Sequence, residues 1–191
     1  MAGDRELIQI LDAAMAEAVR RSGTWIACRP GCFECCIGPF PITARDALRL
    51  RQGLAELAAA DADRAGRVME RARASVERIY RKYPDNPLAA VLTIDEAAED
   101  EACPALDPAT GTCDLYTARP VTCRTFGPAV SCGGEVLAVC ELCYRGASDE
   151  EIAACRVELD TRELEGSSDD PETIVAFALS DSRPVRSPAS T

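Results

Sequence analysis

Cys28-Arg-Pro-Gly-Cys32-Phe-Glu-Cys35-Cys36 crowds four thiols into one short stretch, and the reading of the whole chain turns on what those sulfurs do. Thiols this dense either pair as disulfides or converge on a soft metal ion, and the redox compartment decides between the two. The first residues, MAGDRELIQI, carry Asp4, Arg5 and Glu6 where a secretory leader needs an uninterrupted apolar stretch. No later segment has the apolar length of a membrane span. A cytoplasmic chain with reduced thiols is therefore expected, and metal ligation is the favoured reading. The chain holds 11 cysteines and no histidine, and an odd number cannot pair completely within one chain.

Spacing carries the next step. In Cys32-x-x-Cys35 a two-residue turn can aim both sulfurs at one ion, and Pro30, Gly31, Gly38 and Pro39 supply the sharp backbone changes such a turn requires. Cys36 directly follows Cys35. Side chains of neighbouring residues diverge in most backbone conformations, so these two are expected to serve different metals or different edges of one cluster. Six more cysteines follow at Cys103, Cys113, Cys123, Cys132, Cys140 and Cys143, more than one tetrahedral site can use. Two sites, or one cluster of several metals, are predicted. Cys155 shares an amphipathic face with Ile152 and Leu159 and reads as a packed thiol. Cys155 and Cys143 are expected to be dispensable.

Taken together, Cys28-x3-Cys32-x2-Cys35-Cys36, Cys103-Pro-Ala-Leu106, Cys113-Asp-Leu-Tyr116 and Arg119-Pro120-Val-Thr-Cys123-Arg124-Thr-Phe126-Gly127 resemble the YkgJ-like cysteine-cluster family of zinc- or iron-chelating proteins, over about residues 28–143. The resemblance implies eight ligand cysteines. Seven carry over as Cys28, Cys32, Cys35, Cys36, Cys103, Cys113 and Cys123; the eighth most resembles Cys140, with Cys132 and Cys143 as rivals. It also implies a bacterial cytoplasmic protein. Arg119 and Arg124 are candidates for offsetting the negative charge of thiolate sites, with pairing to the acidic run Asp95, Glu96, Glu99, Asp100 and Glu101 as the alternative.

Composition narrows the function classes. A formal net charge of -11 without a basic cluster argues against nucleic acid or an anionic membrane surface as partner, and 5% aromatic residues leave little for base stacking. Without histidine there is no imidazole base for a hydrolase or a cysteine protease, and no Gly-x-Ser-x-Gly elbow occurs. The Cys28-x3-Cys32-x2-Cys35 spacing is also that of radical S-adenosylmethionine enzymes, but the chain lacks the length and strand-helix alternation their barrel needs. Sulfur ligands select zinc, iron or an iron-sulfur cluster, or monovalent copper, over magnesium or calcium. The favoured function is zinc or iron chelation through two groups of thiolates. The alternatives are an iron-sulfur redox or enzyme component, akin to flagellin lysine methylases, and a metal-stabilised adaptor for an unknown protein partner.

The expected fold is α+β and mainly helical, with helices packed around a loop-rich cysteine core carrying short hairpins. Residues 1–180 read as one domain and 181–191 as a disordered tail. Apolar periodicity predicts helices from Asp4 (as N-cap) to Arg21, from a Thr43–Asp46 capping box onward, and from Asp61 or Asp63 to before Pro84, with arginines as solvated flanks. Residues from 87 to 144 read as loops, with a turn at Asp107–Gly111 and a ribbon around Gly133-Gly134. Ser148–Glu151 is a second capping box, and Asp170-Pro171 opens a last helix bearing Ile174, Val175, Phe177 and Leu179.

Overall fold

A computed structural model describes residues 2–93, 98–159 and 172–180. In chain order the elements are α1 (Ala2–Ser22), α2 (Ala44–Ala60), α3 (Ala62–Lys82), α4 (Pro87–Thr93), β1 (Leu106–Asp107), β2 (Thr112–Cys113), α5 (Val121–Thr125), β3 (Val130–Cys132), β4 (Glu135–Val136), α6 (Asp149–Cys155), β5 (Val157–Leu159) and α7 (Val175–Leu179). Single 3-10 turns occur at Gly23–Trp25, Glu34–Cys36 and Tyr116–Ala118. The protein is thus mainly helical α+β, with its few short strands in two small sheets. It divides into two compact units: Met1–Cys35 with Arg119–Asp170, and Cys36–Ala118 with Pro171–Thr191.

In the first unit α1 buries the stripe the periodicity predicts: Leu7, Leu11 and Ala18 pack with Val130 and Leu159, flanked by Ala14 and Met15. Asp4 lies in the first turn of α1 rather than capping it, where its carboxylate favours the positive end of the helix dipole. Gly133 and Gly134, both at positive φ, close the β3–β4 hairpin with Cys132 opposite Glu135. β5 pairs parallel to β3, Val130 facing Val157. Ser148 and Glu151 form the expected capping box of α6.

The second unit packs α2, α3 and α7 around Leu50, Val68, Ala72, Val175, Ala178 and Leu179. Thr43 and Asp46 make the predicted capping box of α2, and Asp61, not Asp63, caps α3 by accepting from the Arg64 N–H at 3.0 Å. Residues 87–93 were expected as loop and form α4. Asn86 accepts from the Ala89 N–H at 3.4 Å and Pro87 takes the first helical position, a start signal this stretch contains. β1 and β2 close the Asp107–Gly111 turn with Leu106 opposite Cys113. The acidic run's Asp95 and Glu96, the last helix's expected start at Asp170-Pro171 and the tail at 181–191 lie outside the described residues.

Gly53 sits inside α2, where alanine is ordinarily better by about 1 kcal/mol. Here a Cβ would stand 2.4 Å from the Ala118 Cβ. Overpacking of that kind costs about 1–3 kcal/mol, so the sign should reverse. Gly53→Ala is expected to lower the urea midpoint; a midpoint at or above the wild type's would show that the 116–118 turn yields freely.

Candidate metal centre

None of the eleven cysteines is joined in a disulfide. In the first unit, chain reversals gather four of them. Gly31, at φ +87, lets the chain turn so that the Cys32 N–H reaches the Arg29 carbonyl at 2.9 Å. On the other side, Cys140-Glu-Leu-Cys143 forms a tight turn: the Cys143 N–H meets the Cys140 carbonyl at 2.9 Å, and the Cys140 sulfur accepts from the backbone N–H of Leu142 and Cys143. The Ala27 N–H donates to the Cys143 sulfur at 3.5 Å, beside the neighbouring residue Cys28. Gly127 completes the approach, because a Cβ there would come within 3.1 Å of the Cys28 sulfur.

The consequence for Cys28 is electrostatic. Cys28 is exposed as a residue, yet its sulfur lies close against Gly127. Desolvation first, and then the neighbouring Cys143, Cys140 and Cys32 thiolates, push its pKa up to about 12. Cys140 is raised as well, foremost by burial. Neighbouring sulfurs thus oppose ionisation of Cys28, and a cation among them would relieve it.

Tyr144 anchors this turn. It stands at φ +55, uncommon for a side chain of its size, and is buried. Its hydroxyl accepts from the Ala129 N–H at 2.8 Å and lies 2.5 Å from the Ser22 hydroxyl. Since Ser22 reaches the Ala18 carbonyl at 2.6 Å with its own proton, Tyr144 must donate to Ser22. A directed relay thus ties the residue after Cys143 to the end of α1.

The second unit gathers Cys36, Cys103 and Cys113. The Ile37–Ala102 bridge is antiparallel, with the Gly38 N–H on the Glu101 carbonyl at 2.9 Å and the Cys103 N–H on the Cys36 carbonyl at 2.7 Å. That register sets Cys36 opposite Cys103, and opposed residues of an antiparallel pair project to the same side. Cys103 then enters its own turn, where its sulfur accepts from the N–H groups of Ala105 and Leu106. Burial, with a smaller contribution from Cys113, pushes the Cys103 thiol up to about 12. Both Cys103 and Cys113 pack against the core cluster of α2, α3 and α7.

Arg67, Arg73 and Arg81 of α3 are the exposed flanks expected from periodicity, but three other arginines of the helix do more. Arg64, Arg71 and Arg78, spaced by seven, all reach the cysteine-bearing loop. Arg64 and Arg71 take the two oxygens of Asp114, whose side chain is 2% exposed, each at 2.5 Å. Arg71 also donates to the Pro104 carbonyl at 2.8 Å, and Arg78 donates to Glu101. The heptad spacing was the signal in the sequence; the partner was not visible because it lies some 40 residues away.

The remaining cysteines are placed as follows. Cys35 is exposed, in the 3-10 turn Glu34–Cys36, and Cys123 is half-buried on α5. Cys132 packs beside Val130 and Leu159 in the α1 core. Cys155 is buried and donates its S–H to the Arg21 carbonyl at 3.6 Å, as suits a packed thiol. Arg124 ion-pairs with Asp12 of α1 at 2.7 Å and donates to the Arg119 carbonyl at 3.1 Å. Arg124 thereby ties α5, which carries Cys123, to α1. Glu101 of the acidic run takes Arg78 instead.

The donor chemistry fits a soft cation: sulfur in excess, turns that aim backbone N–H groups at the sulfurs, and no imidazole. Among the described residues no three cysteine, aspartate or glutamate side chains are already closed on one point, so the thiols are neighbours rather than a finished cage. Residues 27–144, which hold every cysteine except Cys155, match the family model "CxxCxxCC: putative zinc- or iron-chelating domain". The chain belongs to the CxxCxxCC family. The matched CxxCxxCC segment is more than half of the 191 residues, starting one residue before Cys28 and ending one after Cys143. No curated protein and no solved structure matches the chain. Among the described residues no helix is long and apolar enough to cross a membrane.

Proposed function

We propose that the protein chelates zinc or iron through two groups of thiolates, one in each unit. Cys28, Cys32, Cys140 and Cys143 form the first group, and Cys36, Cys103 and Cys113 the core of the second. The observation that carries this reading is the gathering of Cys32, Cys140 and Cys143 around Cys28: the Ala27 N–H donates to the Cys143 sulfur at 3.5 Å, and Gly127, 3.1 Å from the Cys28 sulfur by its would-be Cβ, accepts the Cys140 N–H at 3.3 Å. The spacing Cys140-x-x-Cys143 repeats that of Cys32-x-x-Cys35, so the two need not be rivals for one position; Cys143 enters the ligand set beside Cys140. Cys35 and Cys123 complete the eight cysteines that the sequence resemblance implies, and Cys143 makes a ninth. A bound zinc ion would supply charge to hold these thiolates ionised; a redox-active iron would add electron transfer.

One small cavity of the second unit adjoins the proposed second thiolate group. Beside Cys103, residues Gly38, Phe40, Ser75, Glu101 and Val175 line a cavity of about 20 Å³. Pockets for organic ligands are far larger, roughly 300–1,000 Å³. Because each unit is assembled from separated stretches of chain, neither can be excised as one fragment, and residues 1–180 are proposed to act as a single cysteine-cluster domain.

Metal analysis after anaerobic purification tests the reading. The wild type is expected to hold zinc or iron; Cys140→Ser should lose the metal of the first group and Cys103→Ser that of the second, because serine replaces a soft thiolate with a poorly ionised oxygen. A visible charge-transfer band accompanied by iron and acid-labile sulfide would select an iron-sulfur cluster, and a colourless zinc protein would select simple chelation. Unchanged metal content in both variants would refute the two-group proposal.

A further inference from the structure

We infer that Arg71 is a positioning residue that sets the separation of the two cysteine turns at Cys103 and Cys113. The inference rests on the proposed second thiolate group and adds a residue outside it. Arg71 projects from α3 with its Nε donating to the carbonyl of Pro104, one residue past Cys103, at 2.8 Å. Its Nη2 donates to Oδ2 of Asp114, one residue past Cys113, at 2.5 Å. One planar guanidinium therefore spans from one cysteine turn to the other.

The geometry on the far side is equally constrained. The Asp114 N–H donates to the Ala105 carbonyl at 2.7 Å, and Leu106 pairs with Cys113 across the β1–β2 hairpin. Asp114 has both carboxylate oxygens engaged, because Arg64 takes Oδ1 at 2.5 Å. Strands of two residues cannot by themselves fix a register, since such short hairpins are marginal in water. The fork of an arginine anchored on a long helix can do so, and a lysine, with a single nitrogen and no planar fork, cannot reproduce it.

Groups that orient ligands without touching the metal typically change affinity 10- to 100-fold when removed, and that range sets the expectation of roughly 10- to 100-fold weaker binding at the second group. Cobalt(II) is the probe, titrated into full-length apo-protein, with its thiolate charge-transfer spectrum reporting binding and alkylation with mass spectrometry identifying which cysteines it protects. In Arg71→Ala, protection of Cys103 and Cys113 should require that much more cobalt, while protection of Cys140 and Cys143 keeps its wild-type midpoint. Arg71→Lys, which keeps the charge but not the fork, should recover only part of the loss. If Arg71→Ala does not fold, Arg71→Lys carries the same comparison.

The outcomes separate the two ideas. Cys103→Ser with wild-type cobalt stoichiometry would remove the second metal group itself. Loss of cobalt in Cys103→Ser together with wild-type affinity in Arg71→Ala would leave the metal group standing and overturn the positioning role. Equal weakening of both groups in Arg71→Ala, with a lowered unfolding midpoint of the apo-protein, would make Arg71 a general stabiliser and overturn it as well.

Discussion

Gly127→Ala is expected to weaken metal binding at the first thiol group by about 10- to 100-fold, or to lower apo-protein stability by the same free energy of about 1–3 kcal/mol. Two constraints meet at this residue. Its φ of +122 is a conformation that L side chains rarely adopt, and the added Cβ would stand 3.1 Å from the Cys28 sulfur. Its carbonyl also accepts the Cys140 N–H at 3.3 Å, so a shift of the backbone away from Cys28 moves the Cys140 turn as well. Gly134→Ala separates the two effects. Gly134 also has positive φ, +85, but a Cβ there meets nothing within 4 Å. Competition with a chromophoric zinc chelator should find Gly134→Ala near wild-type affinity and Gly127→Ala well below it. Equal behaviour of the two variants would show that the approach to Cys28 is immaterial.

What the sequence made legible was local. Both capping boxes were readable because Thr43 with Asp46 and Ser148 with Glu151 close their hydrogen bonds across three residues, within reach of any sequence window. The α1 face was readable for the same reason, since Leu7, Leu11 and Ala18 recur with the helical period. The β1–β2 and β3–β4 hairpins announced themselves through their glycine-containing turns. Non-local pairings were not legible. β5 joins β3 in parallel from 27 residues away, Val130 to Val157, and no turn signal marks such a partner. Arg71 reads as an exposed helical charge until Asp114 is brought to it. The proposed grouping of thiols follows the same division: spacing alone pairs Cys32 with Cys35, whereas Cys143, which acts electrostatically on Cys28, lies 115 positions later.

Cys35 and Cys36, adjacent in sequence, are expected to answer substitution in opposite ways. They lie together in one 3-10 turn, in which successive residues are rotated by about 120°, so their side chains leave the backbone in different directions. The division between the two compact units also falls between them: Cys35 ends the first segment of one and Cys36 begins the other. Cys36 is fixed by its own strand pairing, its carbonyl accepting the Cys103 N–H at 2.7 Å, which places its sulfur on the side of Cys103. Cys36→Ser should therefore release about one metal equivalent and leave Cys103 and Cys113 open to alkylation, while Cys28, Cys32, Cys140 and Cys143 stay protected. Cys35→Ser should leave Cys103 and Cys113 protected, and any newly reactive thiols should come from the first group. The proposed division into two groups fails if both variants lose the same metal and expose the same cysteines, because a single compact site would then be drawing on both sides of the Cys35–Cys36 peptide bond.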